Sequence, residues 1–296
     1  MLSRLDRVQL VVRDRLSAAR PFERLLGAAV VGDDRLRALA ARRRVLRVGE
    51  SEVDLLEADG AGPVADFAAA TRGGGLFAVG FASETLPALR ERLARQAVRM
   101  EEEGGLVLLE PSSLGLPGLR LLVSAAQSRE PAGRLRFLYE ATWLVHDWKS
   151  ASESFAAKLG LDAGRFEPIR SEEFGYAGTL TLLDRARLDR IEAVTPSKPG
   201  TTMSRFFSKR GACLYMAYGE CDDTAALRAV LEAEATQAWT GPRAAASAAP
   251  PDNLWIHPAA LSGLLLGVSR TTFAWTWSGH PERVVAAGAG PRRTPA

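Results

Sequence analysis

Residues able to bind a soft metal or shuttle a proton near neutrality are scarce in this chain. Two cysteines, Cys213 and Cys221, and three histidines, His146, His257 and His280, are its whole stock of thiol and imidazole groups. A metal centre built on such donors needs three or four of them converging at short, regular spacings, and these five share no such pattern. The sequence therefore predicts no His- or Cys-rich metal centre. Two thiols also make no disulfide framework, so a reducing, cytoplasmic setting is expected. His146 stands beside Asp147, which opens a helix, and is expected at the surface. His280 lies in the tail "SGHPERVVAAGAGPRRTPA", whose Pro, Arg and Ala content predicts disorder. His257, in "WIHPAA", is the histidine with a candidate catalytic place; a hydrogen-bonded structural role at a strand start is the alternative.

Aromatic residues are distributed unevenly. All six tryptophans, Trp143, Trp148, Trp239, Trp255, Trp275 and Trp277, fall after residue 136, in the second of the chain's two repeated parts. Most such rings are core, but together they favour an aromatic-lined pocket for a small organic molecule over a phosphate or nucleic-acid site. Charge agrees: 38 Lys and Arg against 35 Asp and Glu give a net +3, too little for a nucleic-acid or membrane partner. The basic stretch "ARRRVLR" (41–47) reads as a solvated strand flank. No run of about 18 uncharged apolar residues occurs and the N-terminus lacks a signal-peptide core, so a soluble cytoplasmic protein is expected.

The elements that must position these groups come in repeated order. "DRVQLVVRD" reads as a strand, "RLSAARPFERLLG" as a helix ending on glycine, and "VLRVGESEVDLLEA" as further strands. "GLFAVGFAS", "ETLPALRERLARQ", "GGLVLLE" and "GLRLLVSA" repeat that order. "QSREPAGRLR" (127–136) loses periodicity and reads as a linker. After it the programme restarts with "LYEATWLVHD", "WKSASESFAAKLG" and "RLDRIEAVTP", then "GACLYMAYGE", "CDDTAALRAVLEAEA", "LWIHP" and "SGLLLGVS".

The two halves also match residue by residue. An offset of 133 carries Asp14 to Asp147, Ser17 to Ser150, Phe22 to Phe155 and Leu26-Gly27 to Leu159-Gly160. An offset of 138 carries Arg72-Gly73 to Arg210-Gly211 and Leu89 to Leu227, and one of 145 carries Gly118 to Gly263 and Ser124 to Ser269. Internal duplication is the inference.

Four strand-helix-strand-strand-strand units taken in pairs resemble the vicinal oxygen chelate superfamily of glyoxalases, methylmalonyl-CoA epimerases, bleomycin-resistance proteins and extradiol dioxygenases. The stretches that carry the resemblance are "DRVQLVVRDRLSAARPFERLLG", "IEAVTPSKPGTTMSRFFSKRGACLYMAYGECDD" and "LWIHPAALSGLLLGVS". It implies an α+β fold of tandem βαβββ modules paired into two half-barrel domains. The N-terminal domain spans 1–126, with modules at about 3–60 and 72–126, followed by the 127–136 linker. The C-terminal domain spans 137–278, with modules at about 137–200 and 210–272, and 279–296 form a flexible tail. "GPRAAASAAPPD" (241–252) is expected to be a mobile flap.

In metal-dependent relatives the first strand of each unit gives a ligand and the last strand an acid. Carried over, the first-strand position falls on Arg7, Phe77, Glu140 and Tyr215, and the last-strand position on Asp54, Leu122, Glu192 and Gly267. An arginine cannot coordinate, and neither half keeps three ligands. The expectation is no cofactor, with a hard divalent cation at Glu140 and Glu192 as a lesser alternative. Arg7 and Asp54 are expected to neutralise each other in a scaffold cup, with Gln9 available to a substrate if it points inward. In the second cup, Glu140 and Glu192 would repel, leaving one partly protonated and able to move protons, unless Glu140 is paired with an arginine such as Arg190.

The candidate catalytic set is Glu140, Glu192, Tyr215 and His257. The candidate substrate-binding set is Thr142, Trp143, Trp255, Arg7, Gln9 and Asp54, with one of Thr142 and Trp143 facing the cup. Two function classes follow: an isomerase, epimerase or lyase moving protons on a carbonyl-containing small molecule without a metal, and a non-catalytic binding protein of the bleomycin-resistance type. A degenerate ring-cleaving dioxygenase relative ranks third. A small organic ligand is the expected partner, and monomer and homodimer stay open.

Overall fold

The structure, a computed structural model, describes residues 2–239 and 251–286. The expected flap therefore lies outside the described residues except for its last two, as does the tail from residue 287. Strands β1 (Leu2–Val12), β2 (Ala29–Leu36), β3 (Ala41–Val48), β4 (Ser51–Ala58), β5 (Gly75–Ser83), β6 (Met100–Glu103), β7 (Leu106–Leu109) and β8 (Leu121–Ala125) form one sheet in the order 2-3-4-1-5-8-7-6. Strands β9 (Phe137–Leu144), β10 (Glu167–Ser171), β11 (Tyr176–Leu180), β12 (Arg190–Pro196), β13 (Cys213–Cys221), β14 (Ala238–Trp239), β15 (Asn253–Ile256) and β16 (Leu266–Arg270) repeat it as 10-11-12-9-13-16-15-14. Each sheet joins two βαβββ units through an antiparallel central pair, β1 with β5 and β9 with β13.

The helices follow from local chemistry. Asp14 accepts the Ser17 backbone N–H and starts α1 (Arg15–Pro21); its counterpart Asp147 accepts that of Lys149 and starts α5 (Trp148–Leu159). Pro21 has no N–H to give, and the chain widens into one π-turn, Phe22–Leu26, before stopping at Gly27 with φ 68°. The crossover helices α3 (Leu86–Arg95) and α7 (Thr224–Ala233) complete the other two units, and the single turn α4 (Pro111–Leu114) precedes β8. Helices α2 (Pro63–Thr71) and α6 (Thr202–Arg210) join unit to unit within each half.

Side chains alternate across the sheets. Leu5, Val8 and Leu10 of β1 and Leu138, Ala141 and Trp143 of β9 enter one apolar core running through both halves. The opposite, concave faces carry the polar and charged residues considered below. The halves are also tied by main-chain bonds: the Leu5 N–H donates to the Asp189 carboxylate at 2.8 Å, and the Leu138 N–H donates to Ser51 Oγ at 2.9 Å.

The linker is firmly held. Ala132 pairs with Gly49, Arg134 N–H donates to the Leu26 carbonyl and Arg136 N–H to that of Glu220, while Arg129 reaches the buried carboxylates of Asp6 and Glu52. Residues 279–286, assigned to the tail from composition, also pack: Arg283 lies over the Trp275 ring and donates to the Arg185 carbonyl. Among the described residues, no helix is long and apolar enough to cross a membrane.

Candidate active site in the C-terminal cup

The N-terminal cup is closed by its own charges. Arg7 on β1 stands in register with Glu52 on β4 and meets it at 2.6 Å, with Asp6 at 3.1 Å and Asp54 at 3.2 Å. The Gln9 amide donates to Asp54 at 3.0 Å, Arg43 approaches Asp54 at 3.5 Å, and Arg129 pairs with Asp6. Burial alone would lower the pKa of Arg7, but Asp54, Asp6 and Glu52 outweigh it and hold the guanidinium charged. Three buried carboxylates thus face Arg7, Arg43 and Arg129, with Arg47 also on Glu52 at 2.9 Å and Arg4 near Asp6 at 3.6 Å. The substrate-binding roles expected of Arg7, Gln9 and Asp54 are corrected accordingly: all three are buried in this network and none lines the cavity described below.

In the second cup, Glu140 of β9 is in register with Arg190 of β12, and the guanidinium Nε donates to its carboxylate at 2.7 Å. Arg190 also donates to the Leu188 carbonyl and to Ser278 Oγ at 2.9 Å. The next inward pair along the strands is Thr142 and Glu192, where the Thr142 hydroxyl donates to the carboxyl at 2.6 Å. Tyr176 of β11 shares a further hydrogen bond with Glu192. One guanidinium therefore serves two buried carboxyls. Burial pushes the Glu192 carboxyl up to about 8 and the negative charge of Glu140 adds to the rise, while the bonds from Thr142 and Tyr176 pull it part of the way back. Burial raises Glu140 too, against the pull of Arg190. Glu140 keeps the guanidinium, and Glu192, which lacks one of its own, is pushed toward its protonated form.

Above this floor opens a cavity of about 1190 Å³, lined from both halves. Glu192, Tyr215, Trp255 and His257 reach it, whereas Glu140 lies beneath its wall. Glu140 is therefore corrected from a reacting group to the partner of Arg190. Trp143 is corrected as well. Its ring points into the core on the convex side and its indole N–H donates to the Pro117 carbonyl at 2.9 Å, so Thr142 is the residue on the cup side. His257 stands just past β15, where Nδ1 accepts the Ala259 N–H and caps a single 3₁₀ turn, Pro258–Leu261. That bond is of the structural kind weighed against catalysis, and the residue also lines the cavity.

Two tyrosines at the site escape a reading by spacing. Tyr218 faces Glu140 across the central pair, three residues beyond Tyr215, because bulges in β9 and β13 break the count along the strands. Its ring fills the space over Gly267, where an added Cβ would overlap it, and its oxygen accepts the Trp255 indole N–H at 2.6 Å. Tyr176 lies in a strand with no motif to mark it. Tyr215 packs edge-on against Phe206 as part of the wall.

No protein-family model matches the chain, and neither does any curated protein. Among solved structures, a triple mutant of 4-hydroxymandelate synthase from Streptomyces coelicolor superposes with a TM-score of 0.68 at 16% identity, over 96% of this chain and 99% of its own. The chain has the two-domain vicinal oxygen chelate fold. A xylose isomerase-like TIM barrel/4-hydroxyphenylpyruvate dioxygenase fusion protein matches 98% of the chain over 50% of its own length, with a TM-score of 0.64 and 13% identity. Methylmalonyl-CoA epimerase from Mycobacterium tuberculosis matches 42% of the chain over 90% of its own, with a TM-score of 0.37 and 21% identity.

These matches overturn the expectation that no cofactor is involved. The 4-hydroxymandelate synthase and the dioxygenase fusion protein, each matching nearly all of this chain, are iron-dependent dioxygenases. The residues of this cup nevertheless fit a three-ligand iron centre poorly. Glu140 is engaged by Arg190, the Tyr218 phenol is pushed well above its usual pKa by burial and then by Glu140, and Gly267 has no side chain. Among the described residues, no three His, Cys, Asp or Glu side chains converge as a metal group.

Proposed function

We propose that this protein is an enzyme that moves a proton next to a carbonyl group of a small organic molecule, as an isomerase, epimerase or lyase, with Glu192 as the proton carrier. The observation that carries this reading is a carboxyl at the floor of an aromatic cavity whose pKa, about 8, lies close to neutrality. A general acid–base works best when its affinity for the proton is matched to the working pH. Thr142 and Tyr176 hold the Glu192 carboxyl in place. In its ionised fraction it takes the proton from the carbon beside the carbonyl, and the electron pair of the broken C–H bond moves onto the carbonyl oxygen. Tyr218 accepts from Trp255, which leaves its own O–H to donate to that developing enolate oxygen. Return of the proton from Glu192 to the other face or to a neighbouring carbon completes an isomerisation, and departure of a β-substituent completes an elimination.

The reading is tested by hydrogen–deuterium exchange in D2O, followed by NMR, on a set of aryl-substituted ketones and 2-oxo acids. Exchange should rise about tenfold per pH unit below pH 8 and level off above it, because Glu192 must be ionised to accept a proton. Glu192→Gln should lower the rate by about 10² to 10⁴-fold while leaving ligand affinity in place. Equal exchange by the variant and the native chain sinks the proposal, and a protein that binds these compounds without exchanging them is a binder.

A further inference from the structure

The walls of the cavity differ in charge. Glu192 is at the floor of the second cup, and Glu173 is the other acid in the lining. Against them stand four cations, Arg120, Arg205, Lys209 and Arg210, and none of the four has a carboxylate partner among the described residues. Arg205 donates to the Gly200 carbonyl and to Thr202 Oγ1, and Arg210 donates to the Thr71 carbonyl at 3.3 Å while lying over the Phe206 ring. That bond to Thr71 draws the end of α6 against the end of α2, on the side of the cavity belonging to the first half. Arg120 stands on that same side. Its guanidinium lies 4.6 Å over the Phe77 ring, which Phe67 meets edge-on, and makes no hydrogen bond or ion pair among the described residues.

A half-buried guanidinium with five donors and no acceptor loses hydration that the Phe77 ring and the more distant charges of Glu110 and Asp66 offset only in part, since burial still lowers its pKa. Arginine presents those donors in a planar fork that suits a carboxylate or phosphate, and the ring beneath it keeps one face dry. The remaining wall is apolar and aromatic, with Phe206, Tyr215 and Trp255 turned to the cavity.

We propose that the cavity takes an amphipathic anion, an aromatic or otherwise apolar body that carries a carboxylate or phosphate group, with the anionic end bound by Arg120 and flanked by the cations of α6. This rests on the reading of the cavity as the substrate site and narrows its substrate class. The anion sits on the first-half wall, and the body extends over the aromatic wall toward Glu192, which separates the group that anchors the ligand from the carbon that gives up its proton.

The test uses two fluorescent probes that share an arylaminonaphthalene body: 8-anilinonaphthalene-1-sulfonate, which is anionic, and N-phenyl-1-naphthylamine, which is neutral. The full chain should bind the anionic probe at one site at least tenfold more tightly than the neutral one, with the difference shrinking as salt rises. Arg120→Gln should weaken the anionic probe by about tenfold, the scale of one lost charge-assisted hydrogen bond, and leave the neutral probe unchanged. Binding of the neutral probe shows that the variant is folded, and Arg120→Lys should recover part of the loss.

Competition by 2-naphthoate and by 2-naphthyl phosphate then tells a carboxylate ligand from a phosphate one, since displacement by either supports the site. If both probes bind alike, if Arg120→Gln weakens both equally, or if neither competitor displaces the anionic probe, the proposal is overturned. Glu192→Gln should not move the anionic probe's affinity. Loss of exchange chemistry and loss of anion recognition can therefore fail independently.

Discussion

The two cups are built from one repeated pattern, yet their charges are inverted. Arg7 on β1 pairs with Glu52 on β4, and at the corresponding places Glu140 on β9 pairs with Arg190 on β12. One step along the strands, Gln9 donates to Asp54 in the first cup and Thr142 to Glu192 in the second. Bulk is inverted too. Gly80 makes room for Arg7 and Leu122 in the first sheet, while Gly267 makes room for Tyr218 in the second. The first cup adds Arg4, Arg43, Arg47 and Arg129 around its three carboxylates. The second adds no further cation and is left with one carboxyl too many. A scaffold and a candidate active site thus differ by which strand carries the arginine and by how many arginines follow it.

The sharpest way to break the comparison is to remove the centre of the matched cup. Arg7→Met leaves Asp6, Glu52 and Asp54 short of their central cation and should cost about 3–5 kcal/mol in urea unfolding. A cost below about 1 kcal/mol would show that the first cup is not held together by its charges.

The next test converts one cup into the other. Native Glu192 has a folded-state pKa of about 8 against an ordinary value of 4.5. The folded chain therefore keeps a proton that the unfolded chain has released, and the contribution of Glu192 to stability falls as pH rises from about 4.5 to about 8. Exchanging the pair with Glu140→Arg and Arg190→Glu puts a guanidinium beside Glu192, as Arg7 stands beside Asp54. Each single change should cost several kcal/mol and the double change far less. In the double variant the decline of stability toward pH 8 should shrink, because a guanidinium replaces the carboxylate of Glu140, but not vanish, because burial, the larger cause, is unchanged. A decline of undiminished size would mean that the neighbouring charge adds nothing to the proton affinity of Glu192.

The smallest effect concerns shape. Gly267→Ala places a methyl against the Tyr218 ring and should cost about 1–3 kcal/mol, read as a lower Tm, with loss of the Trp255 bond to the Tyr218 oxygen. If Tm and tryptophan fluorescence stay unchanged, the ring does not occupy that space in solution.

Much of the architecture was legible in the sequence because it depends on signals that repeat. The Asp14 and Asp147 caps, the Gly27 and Gly160 stops and the common offsets mark the duplicated units without any need to know side-chain directions. The facing of Arg7 and Asp54, and the pairing of Glu140 with Arg190 as one of two alternatives, could also be read, because the closing strand of each unit lies beside its first. What spacing could not give was orientation within the central strands. The bulges of β1, β5, β9 and β13 add residues that no periodicity anticipates, and these moved the residue opposite Glu140 from Tyr215 to Tyr218. Tyr176 and Arg120 reach the cavity from separate units and carry no local pattern, and only the folded chain brings them to one cavity. The assignment of Trp143 to the ligand failed for a simpler reason: alternation allowed either Thr142 or Trp143 inside, and the indole needed both a large apolar volume and an acceptor, which the convex side provides.

The connector between the cups supplies Arg129, whose guanidinium lies against Asp6 and Glu52 of the first sheet. A chain truncated at residue 126 would keep every strand of that sheet and lose one guanidinium from those two acids, leaving Asp6 to Arg4 and Arg7 and Glu52 to Arg7 and Arg47. The first half thus draws part of its interior charge balance from a side chain beyond its own border, a share that expressing it alone would remove.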